Sequence, residues 1–214
     1  MTETLRERLK QSFLFYNWYL FLRNRFRLVA WLLKGRPSPP PPLVKQLCVL
    51  AYQRKFGIPI LVETGTYRGE MVRAMSAQFQ KIYSIELSPE LYQKAKETFS
   101  SFPHIHLLQG DSTILLPHLL QQISEPCLFW LDAHYSGEET ARGNSETPIM
   151  AELECILRHP SRRHAILIDD ARCFDGRNGY PELEDLKKLL FTIRPSWSMA
   201  VHDDIICIHP AQAP

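Results

Sequence analysis

Seven short apolar runs punctuate residues 60–208, and a helical stretch separates each of the first five from the next. The runs cover 60–63, 81–86, 104–108, 127–131, 165–168, 197–201 and 205–208. Residues 70–79, the stretch opened by Ser88-Pro89-Glu90, a stretch that follows Ser112 to about 123, 147–158 and 181–191 read as the intervening helices. Ser88 serves as a cap and Pro89 as a first helical residue. A helix over 43–56 leads in; Gly57 stops it and Pro59 bars re-entry. Such alternation predicts a parallel sheet covered by helices on both faces. Only His202-Asp203-Asp204 separates the last two runs, too little for a crossover, so those strands are antiparallel. The expected fold is α/β, a doubly wound seven-stranded sheet closed by an antiparallel hairpin.

In doubly wound sheets, ligands bind beyond the carboxyl ends of the strands. Here those ends read Glu63, Glu86, Asp111, Asp132 and Asp169-Asp170. A single acid in a loop carries little weight; five successive strand ends carry more. Residues 63–69 have the form E-x-G-x-x-x-G, with Gly65, Thr66 and Gly69 in the turn. Its glycines let backbone approach a ligand closely. This is not the G-x-G-x-x-G of nicotinamide enzymes, because Tyr67 and Arg68 interrupt it. Glu86 follows Gly65 at a spacing right for an acid that takes ribose hydroxyls, and Gly110-Asp111-Ser112 can meet an adenine edge. Two simpler roles stay open: Glu63 as a cap of its turn, and Ser112 as the cap of its helix.

Over about residues 55–209, the chain resembles the class I S-adenosylmethionine-dependent methyltransferases. VETGTYRG (62–69), SIE (84–86), QGDS (109–112), LDAHYSG (131–137) and the terminal hairpin carry the resemblance. It implies a Rossmann-like methyltransferase sheet, S-adenosylmethionine as cofactor, and cofactor contacts by Glu63, Gly65, Thr66, Gly69, Glu86, Asp111 and Ser112.

A 3-2-1-4-5 strand order sets Asp132 beside Asp169 and Asp170. Three clustered carboxylates repel unless a cation neutralises them, and all-oxygen ligands suit Mg2+ or Ca2+ better than zinc. The arrangement resembles the metal-dependent O-methyltransferases of the catechol and macrocin type, which implies Asp132, Asp169 and Asp170 as metal ligands. The alternative is that one or two of them cap loops or pair with Arg172. A cation on a substrate hydroxyl lowers its pKa, and a nearby base takes the proton. His134 and Tyr135 are the candidate bases, and His134 is favoured by its pKa. Catechol O-methyltransferase carries a lysine where this chain has Tyr135, so that base does not carry over. The polar segment 136–148 reads as a lid or substrate reader, with Arg142 able to hold an anionic or sugar group.

Residues 1–36 form a distinct arm. They hold eight Lys and Arg against two Glu, a net +6, which leaves −4 on the rest of a chain with 25 basic and 23 acidic residues. Eight of the 23 aromatics lie there too. The apolar run 13–22 is about half the length of a membrane span, and Arg23, Arg25 and Arg27 follow it at once. The arm, helical over 5–34, therefore packs on the body or a second copy of it, or lies on an anionic membrane surface. Residues 37–42 are a proline-rich linker, and 43–214 form the methyltransferase domain. The total charge of +2 is too small to suggest a nucleic-acid partner. Five cysteines without a C-x-x-C pair suit a reducing, cytoplasmic setting, with peripheral membrane contact as the variant.

The expected function is divalent-cation-assisted O-methylation of a small hydroxylated acceptor, with a sugar or glycoconjugate among the candidates. The rivals are a non-catalytic binding protein of the same fold, docking through its arm, and a nicotinamide-dependent oxidoreductase.

Overall fold

The computed structural model of the 214-residue chain describes residues 23–132, 148–161 and 163–211. Residues 23–33 are helical (α1), and α2 spans Pro42–Phe56. There follow β1 (Ile60–Thr64), α3 (Glu70–Met75), β2 (Lys81–Glu86), α4 (Pro89–Thr98), β3 (Ile105–Gln109), α5 (Ser112–Leu120) and β4 (Cys127–Leu131). The second half contains α6 (Ile149–Arg158), β5 (Ala165–Ile168), α7 (Leu183–Ile193), β6 (Trp197–His202) and β7 (Ile205–Pro210).

All seven strands join one sheet in the order β3-β2-β1-β4-β5-β7-β6. The first five run parallel, while β7 is antiparallel to both β5 and β6. The sheet reads as foreseen because its central runs are apolar on both faces. Leu61, Leu128, Trp130 and Leu167 bury into one core, with residues of α2, α3 and α4. Val62, Phe129, Ile166 and Ile168 bury into the other, against α5, α6 and α7. Each such side chain contributes about 1.5–3 kcal/mol when fully buried. The hairpin turn places Asp203 (φ 49°) and Asp204 (φ 65°) in the left-handed region, the two-residue turn whose twist matches a right-handed strand pair.

Helix boundaries differ by a few residues from the sequence expectation. α3 ends at Met75 rather than near Phe79, and α5 at Leu120 rather than Ile123. Pro42, assigned to the linker, is the first residue of α2, where a proline's missing N–H costs nothing. Trp31 of α1 is buried and donates its Nε1–H to the Pro37 carbonyl at 2.7 Å. Arg36 stands 3.6 Å from Asp203 in the hairpin turn, so the end of the arm meets the body there. No helix among the described residues is long and apolar enough to cross a membrane.

Candidate active site

Register brings the strand-end acids to one edge. Thr64 of β1 pairs with Leu131 of β4, and Leu131 pairs with Ile168 of β5. Asp132 and Asp169 are the next residues out, and their own backbones continue the ladder. Asp132 N–H donates to Thr64 O at 3.0 Å, and Asp169 N–H to Leu131 O at 3.1 Å. On the other side, the Gly65 and Gly110 N–H groups donate to Ile85 O and Glu86 O, both at 2.9 Å. The loops after β1 to β5 thus leave the sheet along a common edge.

The loop after β1 is tightly built. Gly65 has φ 87°, Tyr67 φ 47° and Gly69 φ 66°. A Cβ on Gly69 would lie 2.6 Å from the Phe99 ring, so this position needs glycine for space as well as for backbone. Glu86, buried at the end of β2, accepts the Tyr67 N–H on one oxygen and the Ser88 N–H on the other. Each carboxylate oxygen keeps a second acceptor direction, which is what a vicinal diol such as a ribose needs.

Glu63 points inward. Ser84, its register partner on β2, donates to Glu63 Oε2 and lies 2.6 Å from the Thr66 hydroxyl. Because the Ser84 proton goes to Glu63, Thr66 is the donor in that second bond. Burial drives the Glu63 pKa up to about 8; the Ser84 bond opposes this, while Asp132 and Glu86 add to it. None of these groups is a cation, so a positively charged ligand group fits here. Glu63 Oε2 thus takes a strand hydroxyl rather than a backbone amide of the turn.

Asp111 is the N-cap of α5: its Oδ1 accepts the Thr113 N–H at 2.9 Å and the Thr113 hydroxyl at 2.7 Å. Ser112 is the first helical residue and is buried, so the capping role open to Ser112 falls to Asp111. Beside Ser112 lies Glu152 of α6, fully buried, whose pKa is pushed up to about 7 by burial. The Ser112 and Thr64 hydroxyls face Glu152 closely enough to offset part of that shift, but neither makes a hydrogen bond of regular geometry with it.

Asp132, Asp169 and Asp170 each offer a carboxylate oxygen, all within 4.8 Å of one another. The three expected ligands do come together, and their donor chemistry fits a hard divalent cation. Asp170 holds a left-handed conformation (φ 56°) and accepts from Arg172 Nη1 at 2.8 Å. Arg172 also pairs with Asp204, and its pKa lies above the ordinary value: burial opposes this, but the bonds to Asp204 and Asp170 outweigh it. The alternative of an Arg172 pairing thus holds for Asp170. A residue that sequence reasoning missed stands at the same acids. Lys45 of α2 donates to Asp169 Oδ2 and lies 3.5 Å from Asp170 Oδ1. Burial acts against the Lys45 ammonium, yet Asp169, Asp170 and Asp132 hold its pKa above the ordinary value. Burial, then Asp132, pushes Asp169 up, and Lys45 opposes them. His134, Tyr135 and Arg142 lie outside the described residues.

No protein-family model and no curated protein matches this sequence. Solved structures do match. A caffeoyl-CoA O-methyltransferase candidate from Staphylococcus aureus superposes with a TM-score of 0.62, at 11% identity over 95% of this chain and all of that one. The chain has the class I methyltransferase fold. An O-methyltransferase from Bacillus cereus, in complex with S-adenosylhomocysteine, gives a TM-score of 0.58 at 14% identity, over 86% and 88% of the two chains. The S-adenosylhomocysteine-bound methyltransferase PaMTH1 of Podospora anserina gives 0.56 at 17% identity, over 83% and 81%. The fold shared with these structures closes here on the antiparallel β6–β7 pair.

Proposed function

We propose that this chain is an S-adenosylmethionine-dependent O-methyltransferase acting on a small hydroxylated acceptor, with a divalent cation at Asp132, Asp169 and Asp170. One observation carries the reading: two acid groups with different chemistry line one sheet edge. Glu63, Glu86 and Asp111 end β1, β2 and the loop after β3, while the aspartate triad lies at β4 and β5.

Bound S-adenosylmethionine would supply an electrophilic methyl group on a sulfonium centre. Glu86 would accept the ribose hydroxyls on its remaining lone pairs, with its carboxylate already fixed by two backbone amides. Gly65, Thr66 and Gly69 would let backbone pass close to the cofactor, and Asp111 with Ser112 would border the adenine. Glu63 would sit opposite positive charge. Its ionised form, costly in the empty site, becomes favourable there.

A Mg2+ or Ca2+ ion held by the triad would lower the pKa of an acceptor hydroxyl. Its proton must go to a base, and His134, two residues past Asp132, is the group we assign. The cofactor would supply its methyl group to the acceptor oxygen and keep the carbon–sulfur electron pair on a neutral thioether. The products are a methyl ether, S-adenosylhomocysteine and a proton. Sugars and glycoconjugates are the acceptor class we favour, with Arg142 as a further contact.

The test is an acceptor screen that monitors S-adenosylhomocysteine formation with Mg2+ and with EDTA. Metal-dependent turnover of hydroxylated acceptors is expected. Turnover confined to amine or carbon acceptors would overturn the O-methyl assignment.

A further inference from the structure

The acid triad already faces a cation of the chain's own. α2 packs against β4 and β5, anchored by buried Val44 and Val49, and this docking carries Lys45 to the triad. The Lys45 side chain is 21% exposed, whereas that of Asp169 is 1% exposed. The ammonium thus reaches the buried carboxylate from the solvent side. Arg172 bridges Asp170 and Asp204. A divalent ion using oxygens that lie within 4.8 Å of one another would sit only a few ångströms from the ammonium. Two cations so close repel strongly in a partly buried site. Lys45 has a flexible four-carbon stem and a path to water, so it can leave; Asp132, Asp169 and Asp170 are fixed to the sheet edge and cannot.

We propose that Lys45 is an exchangeable counter-ion of the triad: its ammonium and a divalent cation compete for Asp169 and Asp170, and Lys45 thereby sets how tightly the chain binds that cation. This rests on the cation reading of the triad. It gives the three acids a charge partner from the chain itself. It also predicts that cation binding releases the α2 side chain from the β5 terminus.

The experiment is a titration of the metal-stripped full chain with Mn2+ at fixed pH and ionic strength, with free Mn2+ read by electron paramagnetic resonance. Lys45→Met removes the charge but keeps the length, and should bind Mn2+ tighter by about tenfold or more. Lys45→Arg keeps the charge and should bind no tighter than the unmodified chain. Lys45→Gln replaces the methionine variant should that one not fold. Unchanged or weaker affinity in the uncharged variants, with Mn2+ binding in the unmodified chain, would overturn the proposal and leave the cation reading standing. If neither the unmodified chain nor any variant binds Mn2+, both fall, while the cofactor assignment is untouched.

Discussion

Glu86 accepts the backbone N–H of Tyr67 at 2.7 Å, and this bond ties the loop after β1 to the end of β2. Tyr67 holds φ 47°, a conformation an aromatic residue rarely adopts. The carboxylate stabilises that turn and still presents its other lone pairs outward. Loop shape and ligand recognition therefore share one residue.

Glu63 makes the site pH-sensitive. Its carboxyl titrates near 8 in the folded chain, well above its ordinary value, so folding favours the protonated form. An acid with a raised folded pKa leaves stability intact below its unfolded value and drains it as pH rises towards the folded one. Glu63→Gln should therefore raise the melting temperature of the cofactor-free chain increasingly from about pH 5 to pH 8. Cationic S-adenosylmethionine should drive proton release at pH 7, seen as calorimetric heats that depend on the buffer's ionisation enthalpy. Glu63→Gln should abolish that dependence. Equal heats in all buffers for the unmodified chain would contradict this role.

Asp169→Asn should abolish methyl transfer but leave S-adenosylhomocysteine affinity within about threefold, under 1 kcal/mol. Asp169 lies at β5, away from the acids of β1, β2 and the loop after β3. EDTA should likewise remove activity, and Mg2+ restore it. Full activity of the variant would reduce the triad to a structural role.

Gly69→Ala should destabilise the chain by roughly 1–3 kcal/mol, since it combines a left-handed backbone with an overpacked Phe99 contact. Thermal unfolding of the two proteins measures it. An unchanged melting temperature would mean that Phe99 moves aside freely.

The exposed face of α1 should govern association rather than chemistry. Phe26 and Leu33 are 72% and 84% exposed. Replacing both with serine should either shift a sedimenting dimer to monomer or weaken binding to anionic liposomes. Cofactor affinity should stay within about threefold. No change in either association assay would remove the arm from both proposed roles.

The sheet was legible because its strands are short apolar runs with unambiguous breakers, such as Gly57-Ile58-Pro59 before β1. The acids were legible because strand ends are where such sheets carry ligands. Lys45 was not: it contacts an acid 124 positions later, and only the docking of α2 on β4 and β5 creates that proximity. Glu152 left a signal. It falls in register with Ile149, Leu153 and Ile156 on the buried face of α6, where a glutamate is out of place. Ser84 gave less, since a small polar residue in a strand does not reveal that it faces Glu63. The exchange of capping roles between Asp111 and Ser112 turned on a one-residue shift in the start of α5, below the resolution of sequence patterns.

Calorimetric titration with S-adenosylhomocysteine tests whether Glu86 and its neighbours hold S-adenosylmethionine. The unmodified chain should bind, and Glu86→Ala should bind weaker by about 1–3 kcal/mol, the scale of hydrogen bonds to a charged group. Binding of NADH but not of S-adenosylhomocysteine, or equal S-adenosylhomocysteine affinity in the two proteins, would contradict it.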